Sequence, residues 1–402
     1  MTRPRVGVLV GYFDWFSGYQ ETALVKALEP LAEVEVIASD RVSPIFSDAH
    51  LERLGVERTY VPGSSTERGV TVTRLPSQER RSMVWSRDVR RLLRERDFDL
   101  LVQVMPGQGL SAAGAFVPKS ERRIVLYGDN SAMWSGLSGW KQRLKWVVFA
   151  VTKGQVYRLV NRRSDVVFGY TPETLHRLAP FQKGCQTALL PLAYDSNTYF
   201  QSEELRESGR AELGFQPHER VVMTAGKLVP YKRLELLVDA FTEIAEQQPE
   251  VRLLVVGDDG GDYSTSLQRR VPEALRSRAT FLGFQDAEGL NRLFNVADVG
   301  VWPALPAVTI QQAMGTGLAV CLPQNEWVGH LIRPGSGTYF GPGTPVPTLP
   351  AALRETLTTF DFGSSARRDR RDANGWLAGD GIARTALADV VSSSDASGIM
   401  GS

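Results

Sequence analysis

Short runs of β-branched and other apolar residues recur along the chain, and longer segments between them return an apolar residue every three or four positions. The first pattern is that of strands and the second that of amphipathic helices. In the first half strands are expected at 6–10, 34–38, 70–73, 100–104, 124–127 and 166–170. In the second half they are expected at 221–225, 252–256, 280–282, 299–302, 318–322 and 338–340. Helical periodicity lies between them, for instance at 20–32, 232–246 and 287–297. Strands alternating with helices build parallel sheets from βα units. The pattern therefore predicts an α/β chain of two Rossmann-like domains facing each other across a cleft. Residues 1–192 would form the first and 193–391 the second, with 191–200 as linker. The last helix is free to pack back on the first domain, and 392–402 reads as a small, polar tail.

A length of 402 residues suits two domains, each with its own core. An apolar content of 43% at a net charge of +1 excludes general disorder. The longest strictly apolar run, 146–151, falls far short of the roughly 20 residues a membrane span needs. The apolar run at 6–10 is too short for a signal-peptide core, so secretion is not expected. Two cysteines, Cys185 and Cys321, build no disulfide framework and suit a reducing compartment. The expected location is cytoplasmic, with membrane association left open by the charge pattern. Residues 1–192 hold 27 Lys and Arg against 19 Asp and Glu, whereas the remainder holds 19 against 26. Such a split points the basic half at an anionic partner. Within it, residues 140–163 carry seven cations and no acid, interleaved with Trp140, Trp146, Phe149 and Tyr157. That composition suits a membrane-surface segment, and equally a helix with one buried stripe and one solvated basic face. No nucleic-acid-binding module frames the patch, so no nucleic acid partner is expected.

Ligands of open α/β sheets bind beyond the carboxyl ends of the strands. Two features of the second half stand there. In the first, the strand ending at Ala225 runs through Gly226 and Lys227 to Lys232 and a helix. Gly226 permits close backbone approach, and both ammonium groups can reach one diphosphate; two plain surface lysines are the alternative. In the second, a Pro-rich loop from Trp302 feeds a helix starting near Val308, with Thr309 placed to cap it. Free N–H groups and the positive end of the helix dipole make such a start an anion site.

Together these residues resemble a known family. The second half looks like the donor domain of the retaining two-Rossmann-domain (GT-B) glycosyltransferases, family 4 in particular, the glycosyl transferases of group 1. Gly226 and Lys227 through Lys232 resemble its Gly-Arg…Lys diphosphate motif, and Gly257-Asp258-Asp259-Gly260 its Gly-Asp-Gly loop. Gly283-Phe284-Gln285 resembles the loop whose backbone meets the nucleotide base. Ala297-Asp298 resembles the start of a strand in that family, and Gln312-Ala313-Met314-Gly315-Thr316-Gly317 its Glu-Ala-Met-Ala-x-Gly helix. The similarity covers about 186–345 closely and the first half by layout. It implies donor binding by Gly226, Gly257, Gly283, Phe284, Gln285, Val308, Thr309, Ile310 and Gln312, with Lys227 and Lys232 stabilising the leaving group. It also implies a nucleotide sugar as substrate, with no cofactor and no metal.

The departures are specific. The family pairs two glutamates eight positions apart, but this chain has Gln312 and, eight before it, Ala304. The histidine that the family places after the strand 100–104 is absent, the chain reading Met105-Pro106-Gly107-Gln108. His330 stands where the family has a later glutamate. Gln312 can still hold a ribose hydroxyl, since its amide donates and accepts.

In the first half, the loop after strand 6–10 carries five aromatics, and Asp14, Trp15, Phe16, Gly18 and Tyr19 are candidates for contacting an acceptor. The competing reading packs those rings into the core. Asp129 and Asn130 follow strand 124–127; Asp129 is the candidate catalytic carboxylate, or a helix cap, and Asn130 a candidate acceptor contact. Walker, GxSxG and HExxH patterns are missing. The expected activity is transfer of a sugar from a nucleotide-diphosphate donor to an acceptor hydroxyl with retention. The acceptor is a small molecule or glycan, with a lipid-linked one and peripheral membrane contact left open. The alternatives are a non-catalytic sugar-nucleotide-binding partner subunit and a sugar-nucleotide epimerase.

Overall fold

A computed structural model of the chain describes residues 3–16, 20–80, 83–119, 121–128, 139–182, 184–258, 260–341 and 346–397. The chain divides into two compact units, Met1–Pro191 with Gly379–Ser402, and Leu192–Ala378.

The first unit contains β1 (Arg5–Leu9), β2 (Glu33–Ser39), β3 (Gly63–Glu67), β4 (Val70–Leu75), β5 (Gln78–Arg80), β6 (Met83–Trp85), β7 (Leu100–Val104), β8 (Arg122–Tyr127), β9 (Val166–Gly169) and β10 (Gln186–Leu189). Eight of these form one sheet in the order β10-β9-β8-β7-β1-β2-β4-β3, and β5 and β6 pair separately. Every pairing in the large sheet is parallel except β3 with β4. β3 reads Gly-Ser-Ser-Thr-Glu and is exposed along most of its length, so no apolar alternation announces it. The helix Gly379–Ser397 packs on the helix Gln20–Leu28 of this unit. Its buried stripe of Ile382, Ala383, Ala386 and Leu387 has helical spacing, which assigns 379–391 to the first unit rather than the second. Of the expected tail, 392–397 fall within this helix and 398–402 lie outside the described residues.

The second unit is a six-stranded parallel sheet of β11 (Arg220–Ala225), β12 (Val251–Asp258), β13 (Ala279–Gly283), β14 (Val299–Val301), β15 (Ala319–Pro323) and β16 (Gly337–Phe340). The order is β13-β12-β11-β14-β15-β16. Side chains alternate between two buried faces. Val222, Leu253 and Val255 meet Phe241 and Ile244 of the helix Glu235–Ala245 on one face. Val221, Met223 and Leu254 meet Phe294, Ile310 and Met314 on the other. Because both faces are covered, the strands read as continuous apolar runs. The strand order reverses between β11 and β14, the crevice where doubly wound sheets take their ligands.

The twelve strands expected from the sequence all form, while β3 and β10 are too polar, and β5 and β6, at three residues each, too short, to be seen. The helix expected from 232 begins only at Glu235, after a 3₁₀ turn over Pro230–Lys232. Arg233 ends that turn in the left-handed region (φ 54°), which no continuous helix passes through. The helix expected at 20–32 ends at Leu28.

Candidate functional site

The carboxyl end of β11 is the centre of the second unit's crevice. The Gly226 N–H extends the ladder to Val256 O (3.0 Å), and the residue then turns at φ 118°. Gly257, at the end of β12, has φ 109°, and a Cβ on it would lie 2.4 Å from Gly226 O. Both positions therefore favour glycine by conformation, and Gly257 requires it by contact as well. From Gly226 the chain folds back through the 3₁₀ turn, which brings the Lys232 ammonium 3.0 Å from where a Gly226 Cβ would stand. The turn is held by Tyr263, whose hydroxyl accepts from Leu234 N–H (2.8 Å) and donates to Glu235 (2.7 Å).

Thr309 approaches the same point from β14, its Oγ1 being 3.7 Å from the Gly226 Cβ position. Thr309 was expected to cap the helix Val308–Gly315, but its hydroxyl donates instead to Ala225 O (3.0 Å). Trp302 Nε1 donates to Ala225 O and to Thr309 Oγ1, both at 3.1 Å. The helix is thereby clamped to the end of β11. Its N-cap is Ala307, which has no side chain to offer, so no side-chain cap closes the first turn. Val308 is half-buried at the mouth and Ile310 is fully buried in the core, so any contact from Ile310 is through its backbone.

Lys227 is exposed and Lys232 half-buried. Burial, and then the like charge of Lys227, push the Lys232 ammonium down to about 8. Its proton is therefore lost as pH rises through about 8 unless an anion restores it. Affinity for an anion held by Lys232, with a nucleoside diphosphate as probe, is expected to be highest below pH 8 and to fall above it by up to about tenfold per pH unit. A Lys232→Met variant should lack that inflection, and calorimetric titration across pH 7 to 9.5 checks it, spanning about one unit either side of the transition.

Gln312 is buried, and its Oε1 finds no partner among the described residues, as is true of Gln311 Oε1. An unpaired buried amide is costly unless a ligand completes it. At the far side, Gly283 ends β13 and Phe284 follows it, both exposed, and Gln285 Nε2 turns back to Gly283 O (3.4 Å). His330 lies in a 3₁₀ turn, Gly329–Leu331, and burial pushes its imidazole down to about 4. It is neutral at pH 7, and neither ring nitrogen has a partner among the described residues.

In the first unit the described part of the aromatic loop follows the packed alternative of the sequence reading. Asp14, expected to orient an acceptor, is buried, accepting from Tyr60 Oη (2.9 Å) and Ser43 N–H (3.4 Å). Trp15 donates Nε1 to Glu67 (2.8 Å) and sets its ring edgewise on Phe13. Phe16 leans on Phe46 at 5.1 Å between centroids. These groups are engaged within the unit, so the described part of the loop, through Phe16, is packed with Asp14 buried and Trp15 and Phe16 half-buried. Gly18, Tyr19, Asp129 and Asn130 lie outside the described residues.

Two groups escaped the sequence reading. Gln108, in the turn after β7, has a buried Oε1 without a partner among the described residues and crowds Gly11, just past the end of β1. It stands in the turn where a histidine was sought. Burial, reinforced by the Asp14 carboxylate, pushes Glu21 up to about 7. Position after a strand was the only available signal for Gln108; Glu21 had none, because its surroundings are assembled from distant segments.

Two doubly wound units, each with its own sheet, are the architecture of the GT-B class. Across the whole chain the fold is that of solved members of that class. It matches sucrose-phosphate synthase from Thermosynechococcus elongatus with a TM-score of 0.67 at 17% identity, over 98% of this chain and 100% of that one. It matches Anabaena HepE, solved with UDP-glucose, with a TM-score of 0.65 at 17% identity, over 97% and 100%. At that identity the likeness establishes the fold. Residues 219–358 match the family model described as "Glycosyl transferases group 1". Mannosylfructose-phosphate synthase from Agrobacterium fabrum is 31% identical over 153 residues, 36% of this chain. The match spans only 33% of that relative's length.

Proposed function

We propose that the protein transfers a sugar from a nucleotide-diphosphate donor to an acceptor hydroxyl, retaining anomeric configuration and without a metal at the reacting centre. The observation that carries this reading is the meeting of Lys232, Gly226 and the uncapped start of the helix Val308–Gly315 at the end of β11. A diphosphate is the ligand that uses all three. Lys227 and Lys232 would take the charge-neutralising role that a divalent cation fills elsewhere. The base would lie towards Gly283 and Phe284, two strand spacings or roughly 10 Å from Gly226, a distance suited to a nucleoside on its diphosphate. HepE, a fold neighbour, was solved with UDP-glucose, which makes UDP sugars the first donors to try.

In the reaction the bond from the anomeric carbon to the phosphate oxygen breaks and the electron pair leaves with the diphosphate. The acceptor oxygen attacks from the same face, and the departing phosphate oxygen takes its proton. The two ammonium groups and the helix N–H groups stabilise the charge that develops on the leaving group. Thermal shifts with UDP, GDP, dTDP and ADP would rank the bases, because a ligand of the native state raises stability by RT ln(1+[L]/Kd). Product analysis by NMR with the best donor then reads the anomer. An inverted anomer would reject retention, and selective binding without turnover would assign a non-catalytic partner subunit.

Gln312 provides a narrower test. If its amide completes a ribose hydroxyl, Gln312→Ala weakens nucleoside diphosphate binding by about 1–2 kcal/mol. Gln312→Glu is expected to be tolerated, since a carboxylate accepts the same hydrogen bonds. Isothermal titration of the two variants checks both outcomes.

A further inference from the structure

The basic stretch at 140–163 is not one helix with its apolar residues inside. It is two, Gly139–Val151 and Lys153–Arg162, separated at Thr152. The first turns Trp146, Phe149 and Ala150 towards a core cluster with Val125, Tyr157 and Phe181. Its other apolar residues, Trp140, Leu144, Val147, Val148 and Val151, are each more than half exposed. Their spacing of i, i+4, i+7, i+8 and i+11 confines them to one outer stripe, an arc of about 100° at 3.6 residues per turn. On the same wheel Lys141 and Lys145 border one side of the stripe and Arg143 the other, and the helix contains no acid. A hollow of about 620 Å³ beside it is lined by Arg143, Trp146, Val147 and Arg177, among others.

We propose that this outer stripe of Gly139–Val151, with its cationic borders, docks the protein on an anionic phospholipid bilayer. A water-facing helix does not gather five large apolar side chains on its exposed face without a partner. An ordinary protein partner would need acids to match both cationic borders, whereas an anionic lipid surface supplies negative charge on every side of an inserted stripe. The helix lies in the interface plane: the apolar residues enter the boundary between headgroups and chains, and the lysines and arginines stay at the phosphates. Arg177 at the hollow is already paired with Glu173, so Arg143 is the cation there that faces the headgroups. Among the described residues no helix is long and apolar enough to cross a membrane, so the contact is one of surface docking.

Co-sedimentation of the full chain with vesicles tests this without any measurement of transfer, so its failure is separable from failure of the proposed activity. Vesicles of phosphatidylcholine alone and mixed with phosphatidylglycerol are compared at low and high salt. Binding is expected only with phosphatidylglycerol and is expected to weaken in high salt. A triple Lys141→Gln, Arg143→Gln, Lys145→Gln variant should bind about a hundredfold more weakly, about fivefold for each cation lost. A triple Leu144→Ser, Val147→Ser, Val151→Ser variant should lose at least tenfold, because it removes the inserted surface. Five of the six sites are exposed and Lys145 is half-buried, so thermal unfolding is measured on both variants, and the binding comparison uses protein with an unchanged transition. Equal sedimentation with both vesicle types, or unchanged binding by the serine variant, would overturn the proposal. So would a dimer in sedimentation equilibrium that the serine variant dissociates, because the stripe would then be covered by a second copy.

Discussion

Replacing Lys232 with alanine is expected to lower kcat/KM by about two to three orders of magnitude, the size of losing one preorganised donor to a developing anion, about 3–4 kcal/mol. Lys227→Ala should fall at the lower end of that range, because Lys227 is exposed and water screens its charge. The fold should not suffer with Lys232→Ala. The Lys232 ammonium has its proton affinity lowered to about 8 by burial, below that of an unfolded lysine. At neutral pH the charged group is therefore a cost to the native state, relieved as pH rises through about 8. Loss of activity with an unchanged or raised Tm is the signature expected. Full activity in both single variants would remove the diphosphate site from the end of β11.

Asp298→Ala is expected to do the opposite, destabilising the second unit by about 3–5 kcal/mol while sparing nucleotide affinity wherever the protein remains folded. Asp298 is fully buried. Its Oδ1 accepts from Arg206 Nη2 (2.5 Å), and its Oδ2 accepts from Val221 N–H (2.8 Å) and Arg210 Nη1 (3.4 Å). One carboxylate thus ties the helix Glu203–Glu212 to the amino ends of β11 and β14. Removing it leaves two guanidinium groups poorly solvated, a larger cost than the net worth of the pairs. Urea unfolding followed by circular dichroism measures the loss; a change below about 1 kcal/mol would show that the arginines find other partners. A motif residue that resembles part of a donor-binding domain is here a structural fastener at the opposite end of the strands.

The two residues illustrate what is local and what is not. The strand runs are legible because parallel strands buried on both faces must be apolar throughout, as in Val221–Ala225 and Val299–Val301. The order of the βα units, the glycines at 226 and 257 and the lysine at 232 were legible for a similar reason. Backbone conformation and nearby charge are properties of a few consecutive residues. The boundary at Pro191 was visible within one residue, but the return of Gly379–Ser397 to the first unit depends on which surface its apolar stripe finds.

Tertiary structure alone decided the rest. Asp14 has the composition of a site residue, yet Tyr60 and Ser43, 46 and 29 positions away, turn it into an internal acceptor. Thr309 has the composition of a helix cap, yet the carbonyl of Ala225, 84 positions earlier, takes its proton. The helix Gly139–Val151 has two apolar stripes, and only packing shows which is inside and which faces out. In each case the residue's chemistry was written in the sequence, but its partner was not. The energy of a hydrogen bond or a buried surface belongs to a pair, and for these residues the chain brings the second member from far away.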